Sequence, residues 1–173
     1  MKVDSILKKA ENGERINFEE GVYLYQNASL AQLGVTANQI RTQKADPQIV
    51  TYLVDRNINY TNVCVTNCKF CNFYRPPGHE EAYILSREEL NQKIIETKEI
   101  GGTRILMQGG HHPDLPLTWY TDLLKWLRET HPEIELDCFS PSEIDNLCLV
   151  EGKNAFEILE ELRDAGLRGL PGG

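Results

Sequence analysis

Apolar residues along this chain change rhythm several times, and each change predicts a new element. Residues 1–46 carry them in short, helix-like groups. Asn17 followed by Glu20, and Thr36 followed by Gln39, each read as a helix N-cap with its third-position partner. Gly34 and Asp46-Pro47 read as helix ends. Ile49 to Leu53 and Ile58 to Val63 are rich in β-branched and aromatic residues, so strands are expected there. Ser86 with Glu89 opens a helix that runs to about Ile100, where Gly101-Gly102 stops it. Arg104 to Gln108 is a short apolar strand. Leu117, Tyr120, Leu124 and Leu127 form one helical stripe within a helix from about Leu115 to Thr130. A strand at Ile134 to Phe139, a helix opened by Asn154 with Glu157 and closed at Gly166, and a further strand beginning at Leu167 to Leu170 complete the series.

Strands alternating with helices through long connections predict an α/β fold with parallel crossovers, and most simply a (β/α) barrel preceded by short helices. Sites in such barrels lie at the carboxyl ends of the strands. Counted from Ile58, the first barrel strand runs into a cysteine-rich loop. The second runs into Gly109-Gly110-His111-His112, and the third into Ser140-Pro141-Ser142-Glu143. All three loops therefore belong on one face. Four strands do not close a barrel of this class. The expected division is a helical segment over 1–46 and the first half of a barrel over 47–173, truncated or completed by another chain.

Charge narrows the partners. Twenty-six acidic against 18 basic residues leave a net charge of −8, with no basic cluster, which argues against nucleic acid. Met1 to Arg15 is charged and lacks the apolar stretch of a secretory signal, and no apolar run approaches membrane-spanning length. The expected location is the cytoplasm, where clustered thiols stay reduced.

The candidate chemistry centres on Cys64, Cys68 and Cys71, a C-x3-C-x2-C run. Three thiolates this close must share a loop that turns them toward one centre. Iron–sulfur cubanes are held by cysteine thiolates, and three of them leave one iron open for a substrate or cofactor. A structural zinc site with His79 as a distant fourth ligand is the alternative, although the Cys71–His79 gap lacks the usual paired spacing. Cys138 and Cys148 have no such neighbours and read as packing residues.

This spacing, with Phe70 just before the last cysteine, resembles the signature of the radical S-adenosylmethionine (SAM) family. The resemblance implies a [4Fe–4S] cluster on Cys64, Cys68 and Cys71 whose open iron is chelated by SAM. It also implies reductive cleavage of SAM to a 5′-deoxyadenosyl radical. Asp55 to Cys64, Lys69 to Arg75 and Leu106 to Asp114 resemble the group that makes menaquinone precursors and the deazaflavin chromophore. Within it, Gln108 to Asp114 and Phe139 to Ile144 are most similar to the branch that cyclises dehypoxanthine futalosine, with aminofutalosine and deazaflavin synthases as sisters. That implies abstraction of the substrate's ribose C4′ hydrogen, attack on its benzoate ring, and an external one-electron reductant. A zinc-binding module and an inactive fragment are the readings from other classes.

The remaining site candidates each have a plainer alternative. Gly109 and Gly110 permit close backbone approach to a ligand, and the resemblance implies that this loop takes the amino group of SAM. They could equally be an ordinary turn. His111 and His112 are candidates for proton transfer or substrate contact. Otherwise His112 caps the turn before Pro113 and His111 faces solvent. Ser140 and Glu143 suit the ribose hydroxyls of SAM, or cap a helix. Tyr74 could stack on adenine, or pack. Asn59 and Asn62 could brace the cysteine loop.

Overall fold

The computed structural model describes residues 2–172, which divide into two compact units, Met1–Tyr52 and Leu53–Gly173. The first unit is three helices: α1 (Val3–Glu11), α2 (Phe18–Asn27) and α3 (Leu30–Lys44). Ile6, Leu7 and Leu24 form its small buried core. Asn17 and Glu20 make the expected capping box at the start of α2. The second predicted cap is a correction. Ser29 with Gln32 opens α3, while Thr36 lies inside the helix, buried, with its hydroxyl donating to Glu11 at 3.2 Å. Gly34 also lies within α3 rather than at an end. The cap motif recurs in any helix rich in Ser, Thr and Gln, and only the first instance met free backbone N–H groups.

The second unit is built on a three-stranded parallel sheet in the order β1 (Asp55–Asn59), β2 (Arg104–Gln108), β3 (Glu135–Cys138). The helices are α4 (Arg87–Glu99), α5 (Leu117–Thr130), α6 (Pro141–Glu151) and α7 (Ala155–Asp164). β2 has the predicted limits. The strand predicted at Ile49 to Leu53 is absent: Ile49, Val50 and Tyr52 are exposed and have no ladder partner. Their side chains favour extended backbone, but a strand needs a neighbour to pair with. Pairing begins instead at Val54, whose carbonyl accepts from Thr103 N at 3.1 Å. Beyond Asn59 the expected strand Ile58 to Val63 reduces to single bridges at Thr61 and Val63. Leu167 to Leu170 likewise contributes one parallel bridge, Gly169 beside Asp137.

Alternation decides the faces. Ile58, Ile105, Met107, Leu136 and Cys138 are buried with Leu90, Ile94, Leu124 and Leu127 of α4 and α5. Positions of opposite parity are mostly polar: Asp55, Asn57, Asn59, Arg104, Gln108 and Asp137. Arg104 lies between two acids on that face, at 2.6 Å from Asp55 and 3.1 Å from Asp137. The sheet is thus apolar toward its helices and polar on the side that a closed barrel would enclose. Among the described residues, no helix is long and apolar enough to cross a membrane.

Candidate functional site

The parallel register sets Asn59 beside Gln108 and Met107 beside Cys138, so the three strands end together. The three following loops meet there around a cavity of about 430 Å³. Cys64, Cys68, Cys71 and Tyr74 line it from the first loop, Gly109, Gly110 and His111 from the second, and Ser140, Ser142 and Glu143 from the third. His112 is not among the lining residues. A roomier cavity of about 550 Å³ runs along the outer edge of β1 against Tyr83 to Leu85 and Lys93, but holds none of these groups.

The cysteine loop curls because Asn67 takes a left-handed conformation, φ 52°. Asparagine is one of the few residues that visits this region readily. The loop is fastened at both ends by backbone bonds. Cys64 N donates to Arg75 O at 3.0 Å, and Val65 N donates to His111 O at 3.1 Å. Asn62 spans the return segment, donating to Glu81 O and accepting from Tyr83 N, both at 2.9 Å. Asn59 reaches across to Gln108 O at 3.2 Å. Among the described residues, no three His, Cys, Asp or Glu side chains are placed to hold a single metal ion. The three cysteines are free, partly exposed and spread along the cavity wall. Three separate thiolates on one wall are the donor set a cubane takes, each sulfur on its own iron. His79 accepts from Glu81 N at 3.1 Å within its own turn and does not line the cavity.

Gly109 and Gly110 owe their identity to packing inside the protein. A Cβ on Gly109 would stand 2.5 Å from the Tyr60 ring. One on Gly110 would collide with the carbonyl oxygen of Val63 and lie 2.8 Å from Cβ of Cys64. Gly110 N donates to Thr61 O at 3.1 Å, so this turn is sewn to the segment that carries the first cysteine.

Beside the glycines, Glu143 is 3% exposed and surrounded by donors. Its Oε1 accepts from Tyr60 Oη at 2.7 Å and from Gly109 N at 2.9 Å. Its Oε2 accepts from Ser140 N at 2.7 Å and Ser140 Oγ at 2.8 Å. Burial raises its pKa, and the bonds from Ser140, Tyr60 and Gly109 oppose the rise. The Tyr60 hydroxyl is held protonated by burial and by the Glu143 charge, so it is a fixed donor. The Ser140–Glu143 pair is also a complete capping box for α6, a helix the sequence suggested only through that cap. The helix starts abruptly because Phe139 is itself left-handed, φ 64°. For a bulky buried residue that costs about 1–3 kcal/mol.

The two histidines separate. His111 sits at the cavity with Nδ1 2.5 Å from Thr66 Oγ1, which makes Thr66 part of the site although the sequence carries no signal for it. Burial lowers its pKa, with Asp145 working the other way. His112 turns away: its Nδ1 accepts from Asp114 N at 3.1 Å, capping the turn through Pro113. Tyr60 is the other residue that sequence reasoning missed, since its partner Glu143 lies 83 positions away. Cys138 is fully buried, and burial pushes its thiol pKa upward.

The model of the radical SAM superfamily matches residues 58–173. Over all 173 residues the chain is 46% identical to cyclic dehypoxanthine futalosine synthase from Halalkalibacterium halodurans, covering 47% of that protein. It is 38% identical over 168 residues to aminodeoxyfutalosine synthase from Streptomyces coelicolor, 96% of this chain and 43% of that one. HydG, a maturase of the [FeFe]-hydrogenase, shares the fold: TM-score 0.65 at 17% identity, over 99% of this chain and 46% of HydG. The chain therefore belongs to the radical SAM superfamily, whose cofactors are a [4Fe–4S] cluster and SAM. It spans about half the length of the curated relatives it matches.

Proposed function

We propose that this chain is the cofactor-binding part of an enzyme that cyclises dehypoxanthine futalosine in the futalosine pathway of menaquinone biosynthesis. The observation that carries this reading is the 46% identity along the whole chain to a cyclic dehypoxanthine futalosine synthase. Cys64, Cys68 and Cys71 would hold the [4Fe–4S] cluster from the cavity wall. With SAM bound, that cofactor pair supplies a 5′-deoxyadenosyl radical able to take the hydrogen from C4′ of the substrate's ribose.

The chain's own residues orient the bound groups. Gly109 and Gly110 present backbone to the amino group of SAM at the end of β2. Tyr74, on the cavity wall, would stack on the adenine of SAM. His111, hydrogen-bonded through Nδ1 to Thr66 Oγ1, would take on Nε2 the proton that leaves, with one electron returning to the cluster, when the ring regains aromaticity. Glu143 acts through the protein's own donors. The reductant is external, and a cytoplasmic setting keeps the thiols available.

The test is isotopic. The intact protein, given SAM, a reductant and substrate deuterated at ribose C4′, should transfer the label to 5′-deoxyadenosine. Turnover of a chorismate-derived substrate instead would move the assignment to the aminodeoxyfutalosine synthase side, the second reading that 38% identity supports.

A further inference from the structure

We infer that Glu143 is a positioning residue for SAM, acting through the Gly109 amide, which donates to it at 2.9 Å. The inference rests on the proposed role of Gly109–Gly110 as the SAM loop.

Capping alone does not account for Glu143. The capping box uses Oε2, which takes both the amide and the hydroxyl of Ser140. Oε1 points elsewhere, to Gly109 N and the Tyr60 hydroxyl, on two other strands' extensions. One carboxylate thus joins the ends of β1, β2 and β3. The other four capping boxes among the described residues, at Asn17, Ser29, Ser86 and Asn154, have their acids or amides exposed or partly exposed, and none has an oxygen on a neighbouring strand's loop. The Glu143 box also requires the left-handed Phe139, whose N donates to Met107 O at 2.8 Å. Strain of that kind persists only where its surroundings enforce it.

The geometry also explains why a carboxylate stands there. Gly109 N points into the protein and is occupied, at 2.9 Å, by a carboxylate oxygen, which in its ionised form only accepts. The Tyr60 ring fills the space a side chain on Gly109 would need, and its hydroxyl is held by the same oxygen. With its amide fixed below and its ring contact fixed beside, the peptide plane at Gly109 has one orientation. Whatever that turn presents to the cavity is therefore set before any ligand arrives, which is how preorganisation improves binding.

The experiment uses the intact protein, reconstituted and apo, in two variants. Glu143→Ala removes both oxygens. Glu143→Gln keeps the volume but turns an NH2 toward either Gly109 N or Ser140 N. Glu151→Gln is the control for a purely structural loss, because Glu151 Oε1 accepts from Leu117 N at 2.7 Å away from the cavity. In apo protein, amide exchange over residues 109–110 should speed up in Glu143→Ala while β2 itself stays protected. In reconstituted protein, SAM should bind about tenfold more weakly at unchanged iron content, the effect of losing one hydrogen bond to a charged group. If Glu143→Ala does not fold, the Gln variant is read by the same two measurements, and the larger SAM loss should accompany the faster 109–110 exchange. Glu151→Gln should lower thermal stability and leave SAM affinity alone. Wild-type SAM affinity in folded, iron-replete Glu143 variants would overturn the inference. Failure of the wild-type protein to bind SAM at all would instead overturn the reading on which it rests.

Discussion

The two ends of β2 each carry a glycine pair, and only the entry pair holds a left-handed residue. At the entry, Gly101 has φ 79°, a left-handed turn that stops α4, and a Cβ on it would meet nothing. That glycine answers to conformation, while its neighbour Gly102 answers to space, since a Cβ there would stand 2.4 Å from Thr97 Cγ2. At the exit, neither Gly109 nor Gly110 has a positive φ, yet a Cβ on either would strike Tyr60 or Val63. Those glycines answer to space. The entry is finished off by Arg104 between Asp55 and Asp137. The exit is finished off by Glu143, with the cysteine loop fastened above it. One end holds the sheet together and the other prepares a site, the division expected of barrel strands.

The largest expected effect lies at the exit. Alanine at Cys64, Cys68 or Cys71 should reduce iron from about four per chain to near none after anaerobic reconstitution. Cys138→Ala, buried under the same sheet, should keep the iron and cost about 1 kcal/mol of stability. Loss of iron in Cys138→Ala would mean that the exit face does not own the cluster.

Next come the glycines themselves. Gly110→Ala should lower both iron loading and SAM binding, because the new methyl displaces Val63 and Cys64. Gly101→Ala should leave both intact while costing about 1–2 kcal/mol in chemical denaturation, the penalty of a left-handed alanine. Equal SAM losses in the two variants would erase the distinction between the ends.

The smallest effect belongs to the entry. Arg104→Ala should shift the denaturation midpoint least of these variants, since the ion pairs are partly exposed and screened. Salt should shrink that difference further. Iron content should not change.

Much of this was readable from residue order, for reasons that differ by element. β2 and the stripe of α5 were legible because burial on one face writes a period into the sequence. Three capping boxes, at Asn17, Ser86 and Asn154, were legible because the motif is local. β1 was not, because Asp55-Arg56-Asn57-Ile58-Asn59 sends only Ile58 into the helix-covered core and turns polar residues to the other face. The apolar run just before it looked more like a strand and pairs with nothing. In the site, the cysteines and the Gly-Gly-His loop were legible from spacing. Tyr60 and Thr66 were not, since their importance lies in partners 83 and 45 positions away. The two histidines illustrate the limit: adjacent in sequence, one faces the cavity and its neighbour folds back onto Asp114.

The backbone bonds from Val65 to His111 and from Gly110 to Thr61 have a consequence for the life history of the protein. They join the cysteine loop to a turn that exists only once β1 and β2 are side by side. An unfolded or nascent chain offers a metal three thiols on a tether and no wall. The paired chain offers the same thiols already fixed at their anchors. Pairing of the two strands is therefore what turns three tethered thiols into a fixed wall.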